Sequence, residues 1–159
     1  MNQLELTYRG TVYPWHCDHM GHMNVMWYTG KFDEASWSLL AQIGLTRAYF
    51  QEREHGMAAL QQNITYKREL QAGDIVSIKS GILDVGEKIV RIFHEMQNEE
   101  TREIAAFATI TGVYMDTKAR RSLRIPLEIV ERINNMQLDR NALYWTENLP
   151  TLAPNRMDL

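Results

Sequence analysis

Several features that would place a chain in a specialised class are scarce or missing here. Only one of the 159 residues is cysteine, so no disulfide can close within the chain and nothing points to an oxidising compartment. Neither sign of charge dominates. The formal net charge of -3 gives no clustered basic face of the kind nucleic acid requires. No apolar run approaches the roughly 20 residues that span a bilayer. The opening "MNQLELTYRG" lacks the basic-then-apolar layout of a signal peptide. There are no internal repeats, no low-complexity tract and no Pro/Gly/Ser-rich linker before residue 140. These absences leave one cytoplasmic domain over 1–138, with an irregular tail over 139–159 and no membrane or nucleic-acid partner.

What remains is ordinary globular material, 45% hydrophobic and 23% charged, long enough to bury a core. A first strand is expected over 4–13. From Asn24 to about Ile43, Tyr28, Phe32, Ala35 and Leu39 recur at steps of four, three and four, with Trp27, Ser36, Leu40 and Ile43 beside them. That spacing predicts a helix, capped by Asn24, stopped by Gly44 and buried on most sides. After Gly56 the period changes to two. In "ALQQNITYKREL" one face carries Leu60, Ile64, Tyr66 and Leu70. Turns at "QAGD", Gly86-Glu87 and "EETR" separate three more long strands, with Gly81 and Gly112 inside them as sites of curvature. Pro126 opens a short helix. The pattern is α+β: a curled antiparallel sheet of about five strands wrapped around one long central helix. The sheet edges need covering, and a second identical subunit would cover them, giving a homodimer or a dimer of dimers.

The stretch from Tyr13 to Tyr28, "YPWHCDHMGHMNVMWY", holds the chemistry. Asp18 precedes the helix cap by six residues, so a loop can fold it back towards the first turn, where free amides and the positive end of the dipole stabilise an anion. A carboxylate kept ionised there can act as a nucleophile or as a base for water. The same amides can hold a developing oxyanion. Three other readings compete. Asp18 can be a plain loop residue satisfying the helix end. His16, His19 and His22, spaced by three, invite a metal site with Cys17 or Asp18, although zinc sites typically draw ligands from two separate segments. Cys17 as nucleophile would need a neighbouring base and a lowered pKa. The metal-free carboxylate reading is preferred.

The same residues resemble a family. Asp18, Gly21 three residues on, Tyr28 ten on, and the segment Asp33-Glu34-Ala35-Ser36 are similar to the signature of hotdog-fold acyl-CoA thioesterases of the 4-hydroxybenzoyl-CoA thioesterase type. "GHMN" at Gly21-His22-Met23-Asn24 also occurs in that family. Two further stretches agree: Tyr66 to Gly73-Asp74, and Arg120, Arg121 and Arg124 ahead of Ile125-Pro126. The resemblance spans about residues 4 to 135. It implies the hotdog fold and hydrolysis of an acyl-CoA thioester with no metal and no bound cofactor. Asp18 would be the catalytic carboxylate and the Val25 backbone N–H the oxyanion donor. Histidine at 19 and 22 and methionine at 20 and 23 depart from many relatives, and His22 would orient water or Asn24 beside the carboxylate. Gly21 and Tyr28 would border the substrate, and Asn63 and Thr65 would complete the pocket from a partner subunit. Lys67, Arg121 and Arg124 would grip the phosphates of coenzyme A. Alternatives on the same fold are an enoyl-CoA hydratase or dehydratase using Asp18 with His22, and a non-catalytic acyl-thioester binding protein. Met20, Met23 and Met26 offer an adaptable apolar wall that does not single out one acyl group.

Overall fold

In the computed structural model, which describes residues 4–138, Asn24 starts the long helix as the spacing predicts. Its side-chain oxygen accepts the Met26 N–H at 3.0 Å, satisfying one of the open amides of the first turn. Helix α1 then runs over Val25–Gln42 and ends before Gly44, whose φ of +89° suits a residue without a Cβ. Around it lie strands β1 (Glu5–Thr11), β2 (His55–Tyr66), β3 (Ile75–Val85), β4 (Ile89–Asn98), β5 (Ile104–Asp116) and the two-residue β6 (Arg121–Ser122). Two shorter helices, α2 (Arg47–Arg53) and α3 (Leu127–Met136), complete the chain, with a 3₁₀ turn at Pro14–His16. The tail expected over 139–159 lies outside the described residues.

All strand pairs are antiparallel, in the order β1-β3-β4-β5-β2, with β6 on β5. Tyr28, Phe32 and Ala35 of α1 bury against Val76, Ile78, Met96, Ala106, Ala108 and Ile110 of the sheet. Leu39, Leu40 and Ile43 continue the core under Ile129 and Ile133 of α3. A third cluster, Leu83, Phe93 and Leu138, lies on the other side of the sheet. Burying each such large side chain contributes about 1.5–3 kcal/mol. No helix among the described residues is long and apolar enough to cross a membrane.

Two expectations need correction. Helix α1 is not buried on most sides: Val25, Met26, Asp33, Glu34 and Trp37 are exposed, because the sheet curls under only part of its circumference. In β2 the period-two reading breaks at a bulge between Ala59 and Gln61. The bulged Leu60 is 37% exposed, while Tyr66 keeps to the α1 side but is 47% exposed at the strand end, and Leu70, though buried, lies beyond the strand. The short elements α2 and β6 were not anticipated, since seven and two residues carry too little periodicity.

A buried polar chain ties α1 to the sheet. Thr7 Oγ1 lies 2.6 Å from Ser80 Oγ, which lies 2.6 Å from His94 Nδ1. On its other side His94 Nε2 is 2.9 Å from Ser36 Oγ, and Ser36 donates to the Phe32 carbonyl at 2.9 Å. One imidazole thus joins β1, β3, β4 and α1.

Candidate active site

The segment 17–23 closes into a tight loop. Cys17 and Met23 form an antiparallel bridge, the Asp18 N–H donates to the His22 carbonyl at 3.1 Å, and the Gly21 N–H donates to the Asp18 carbonyl at 3.0 Å. Gly21 sits at φ +84°, a conformation that costs glycine little and other residues more. Two backbone bonds fasten the loop, Met23 N–H to the Leu70 carbonyl at 2.7 Å and Asn24 N–H to the His16 carbonyl at 2.9 Å.

Asp18 is folded back onto the helix start. Asn24 Nδ2 donates to Asp18 Oδ2 at 2.9 Å, and the Met20 N–H donates to Oδ1 at 2.9 Å. These bonds, the Asn24 one first, hold the carboxyl below the usual carboxylate range, since donors stabilise the charged form. Asn24 therefore serves twice: its oxygen caps α1 while its amide nitrogen holds the carboxylate. The Val25 N–H, first of the helix, has no acceptor among the described residues. An ionised carboxylate and an open amide thus stand at one helix terminus, and Val25 and Met26 beside them are exposed. The arrangement can present a nucleophile or base to a carbonyl carbon and a donor to its oxygen.

The three histidines go to three different places. His16 is buried, its Nδ1 accepting the Tyr13 N–H at 3.0 Å and its ring 4.3 Å from that of Trp27; burial, then the nearby Lys31 charge, lower its pKa. His22 Nε2 lies 3.0 Å from Glu69 Oε2, so its ring turns to the loop after β2. His19 is exposed. Cys17 Sγ faces the Tyr13 carbonyl at 3.9 Å. Among the described residues no three His, Cys, Asp or Glu side chains are placed to hold a metal ion.

Tyr28 is buried, its ring edge-on to Tyr66 at 5.1 Å and its hydroxyl 3.4 Å from the Arg68 carbonyl; burial pushes its pKa up to about 12. It packs α1 against the end of β2. Tyr66 and Ile64 point to the α1 side, so the intervening Thr65 and Asn63 face away from it. Lys67 follows β2 at the Asp18 end, its N–H donating to the Ala105 carbonyl at 2.8 Å. Arg121 and Arg124 do come together, with Lys88, around an open basin of about 460 Å³. Arg124 Nε is held 2.6 Å from Glu87 Oε1. This basin adjoins the β3–β4 turn, whereas Asp18 adjoins the start of β3, where the Gly73 N–H meets the Val12 carbonyl at 2.8 Å. The 11 residues of β3 separate them, roughly 33 Å of strand.

Sequence reasoning missed the Met20 N–H as a donor, although an Asp two residues before a backbone amide and three before a glycine is the mark of an Asx turn. It also missed the Ser36–His94 pair, which is 58 residues apart and leaves no local signal. That pair has the reach of a nucleophile and base. But burial pushes the imidazole pKa down to about 3, and Nδ1 faces Ser80 rather than a carboxylate, so an imidazolium has no support there.

Residues 12–133, most of the chain, match the thioesterase-like superfamily. The chain belongs to that superfamily. Its sheet, curled about one long helix, is the hotdog fold that the family resemblance implies. Among relatives of this superfamily member is the L-carnitine dehydrogenase/betainyl-CoA thioesterase of Agrobacterium fabrum, 27% identical over 123 residues. The match takes in 75% of this chain and 24% of that protein, so the chain spans about a quarter of the relative's length. The betainyl-CoA thioesterase of Pseudomonas aeruginosa is 23% identical over 143 residues, 90% of each chain. A Staphylococcus aureus protein solved in complex with CoA superposes with a TM-score of 0.83 at 21% identity, over 97% of this chain and 98% of that one.

Proposed function

We propose that this superfamily member hydrolyses an acyl-CoA thioester, with Asp18 as the catalytic carboxylate. The observation that carries the reading is the pairing of Asp18, held by Asn24 and the Met20 N–H, with the unoccupied Val25 N–H at the same helix start. Relatives named as betainyl-CoA thioesterases and a similar fold holding CoA support the substrate class. In the reaction the carbonyl oxygen takes the Val25 N–H, and Asp18 either attacks the carbonyl carbon or takes a proton from water that does so. Negative charge collects on the oxygen, where the amide and the helix dipole oppose it. Collapse breaks the C–S bond and the thiolate leaves, taking up a proton. In the direct route water then cleaves the mixed anhydride and restores the Asp18 carboxylate; in the other route the attacking water has already become the acid's hydroxyl. The Asp18 pKa, depressed by its two donors, makes it a weak base and favours direct attack.

The phosphates of CoA need cations, and the Arg121–Arg124–Lys88 basin supplies them at the wrong end of its own subunit. A homodimer resolves this. Among the described residues strand β2 has one free edge. It starts at the basin end, where His55 pairs with Asp116, and finishes at the Asp18 end, where Tyr66 pairs with Ala106. Antiparallel pairing of two β2 edges therefore sets one subunit's basin beside its partner's Asp18. The exposed Leu60 and Tyr66 would be covered in the process.

Thiol release from a panel of acyl-CoAs tests the reading. The wild type should hydrolyse at least one thioester, and Asp18→Asn should lose about a hundredfold or more, as for an essential catalytic group. Unchanged turnover in Asp18→Asn removes Asp18 from the mechanism. Tight CoA-ester binding with no turnover would favour the binding-protein reading, and hydration of an enoyl-CoA the hydratase.

A further inference from the structure

Met26, Gly30, Asp33 and Trp37 follow one another along α1 at steps of four, three and four, which sets them in one row on the helix surface. The row is open. Met26 and Trp37 are 63% and 45% exposed, and nothing stands within 4 Å of where a side chain on Gly30 would begin. Towards its far end the row borders a cavity of about 50 Å³, shared by Asp33, Ser36 and Trp37 with Met57 and Gln62 of β2 and Ile110 of β5. A water-sized group needs about 10–15 Å³ by the same measure, so the space suits a compact branched head of three to five heavy atoms rather than an extended chain.

The charge at this cavity is unanswered. Asp33 makes no ion pair among the described residues. Ser36 is already committed to Phe32 and His94. One turn along, the Trp37 indole is braced edge-on by Phe50, with ring centres 6.1 Å apart and planes at 90°. A carboxylate and an indole around an otherwise largely apolar space recognise a cation whose charge is spread over methyl groups. The carboxylate supplies the field and the indole a π face, and neither requires a hydrogen-bond donor on the ligand.

We propose that this cavity receives the distal end of the acyl group, and that Asp33 and Trp37 select acyl-CoAs that carry a quaternary ammonium head. The inference rests on thioester hydrolysis at Asp18. Asp33 stands eight residues along α1 from Val25, about 12 Å of helix rise. A head several bonds beyond the carbonyl therefore meets the carboxylate better than one directly beside it.

The test compares 4-(trimethylammonio)butanoyl-CoA with its neutral carbon isostere, 5,5-dimethylhexanoyl-CoA, and betainyl-CoA with 3,3-dimethylbutanoyl-CoA. In the wild type kcat/KM should favour the longer cationic ester over its isostere by about tenfold, the scale of a partly desolvated cation–π and carboxylate contact. That ratio should exceed the one for the shorter pair. Asp33→Asn should bring it close to one, and Trp37→Leu should reduce it. A wild-type ratio near one, or a ratio that Asp33→Asn leaves in place, overturns the proposal. So does a change of oligomeric state in Asp33→Asn, seen by light scattering, with the ratio kept; the row would then belong to a second copy of the chain. Calorimetric binding of the same esters to Asp18→Asn separates the two readings. A cationic preference there, in a protein whose wild type hydrolyses nothing, keeps the subsite and discards the hydrolase; turnover without the preference does the reverse.

Discussion

At the scale of single residues the site turns on Asn24, whose one side chain does two separable jobs. Its oxygen caps α1 through Met26, and its nitrogen holds Asp18 ionised. Asn24→Ser keeps an acceptor for the cap but offers Asp18 no amide donor, so stability should change by no more than about 0.5 kcal/mol. Asn24→Ala loses both and should cost about 1 kcal/mol. In the proposed mechanism Asp18 acts as the carboxylate, and its carboxyl lies low chiefly because of Asn24. Removing that bond raises the pKa towards the ordinary value, so activity disappears at a higher pH as the solution is acidified. The acid limb of kcat/KM, measured between about pH 3 and 7, should move upward in both variants, with the Met20 N–H limiting the movement. An unmoved limb in Asn24→Ser would mean that the amide nitrogen does not tune the carboxylate.

At the scale of elements, α1 is fixed over the sheet by apolar packing and by one buried imidazole. His94 is fully buried, and burial lowers its pKa from 6.5 to about 3. The unfolded chain therefore binds a proton at this residue through that window while the folded one does not. Stability from the neutral ring is complete above about pH 6.5 and is lost as pH falls, by up to about 1.4 kcal/mol per pH unit. His16, also lowered by burial, adds an effect of the same sign, so the contribution of His94 has to be taken by difference. His94→Gln keeps polar atoms for Ser36 and Ser80 but does not titrate. Urea unfolding between about pH 6.5 and 4.5 should show wild type losing stability faster than the variant, and parallel curves would mean that the ring charges without penalty. None of this was legible in the sequence, because the partners Thr7, Ser36, Ser80 and His94 come from four elements. What was legible is local. Asn24, Gly44 and the apolar spacing defined α1, and tight turns separated β3, β4 and β5. The family likeness of Asp18 to Tyr28 pointed to the helix start. The bulge in β2 and the open row of α1 were hidden because they depend on how far the sheet curls.

At the scale of the whole molecule the question is how one substrate reaches both Asp18 and a basin that lies at the other end of β3. The proposed two-fold dimer across β2 would give each site Asp18 from one subunit and Lys88, Arg121 and Arg124 from the other, which makes a complementation experiment decisive. Asp18→Asn subunits retain the basin, and Arg121→Ala/Arg124→Ala subunits retain the carboxylate. Each homodimer should be weak, having either no working carboxylate or no working grip in both of its sites. Refolding or co-expressing the two in equal amounts makes about half the dimers mixed. Each mixed dimer contains one site with both defects and one with neither. Activity at low substrate should therefore recover to about a quarter of the wild-type value, since half the dimers carry half their sites intact. If the basin served its own subunit's Asp18, every site in the mixture would retain exactly one defect and nothing would be restored. Recovery would also have to vanish when both lesions are placed in one subunit and mixed with itself, which guards against a simple concentration effect.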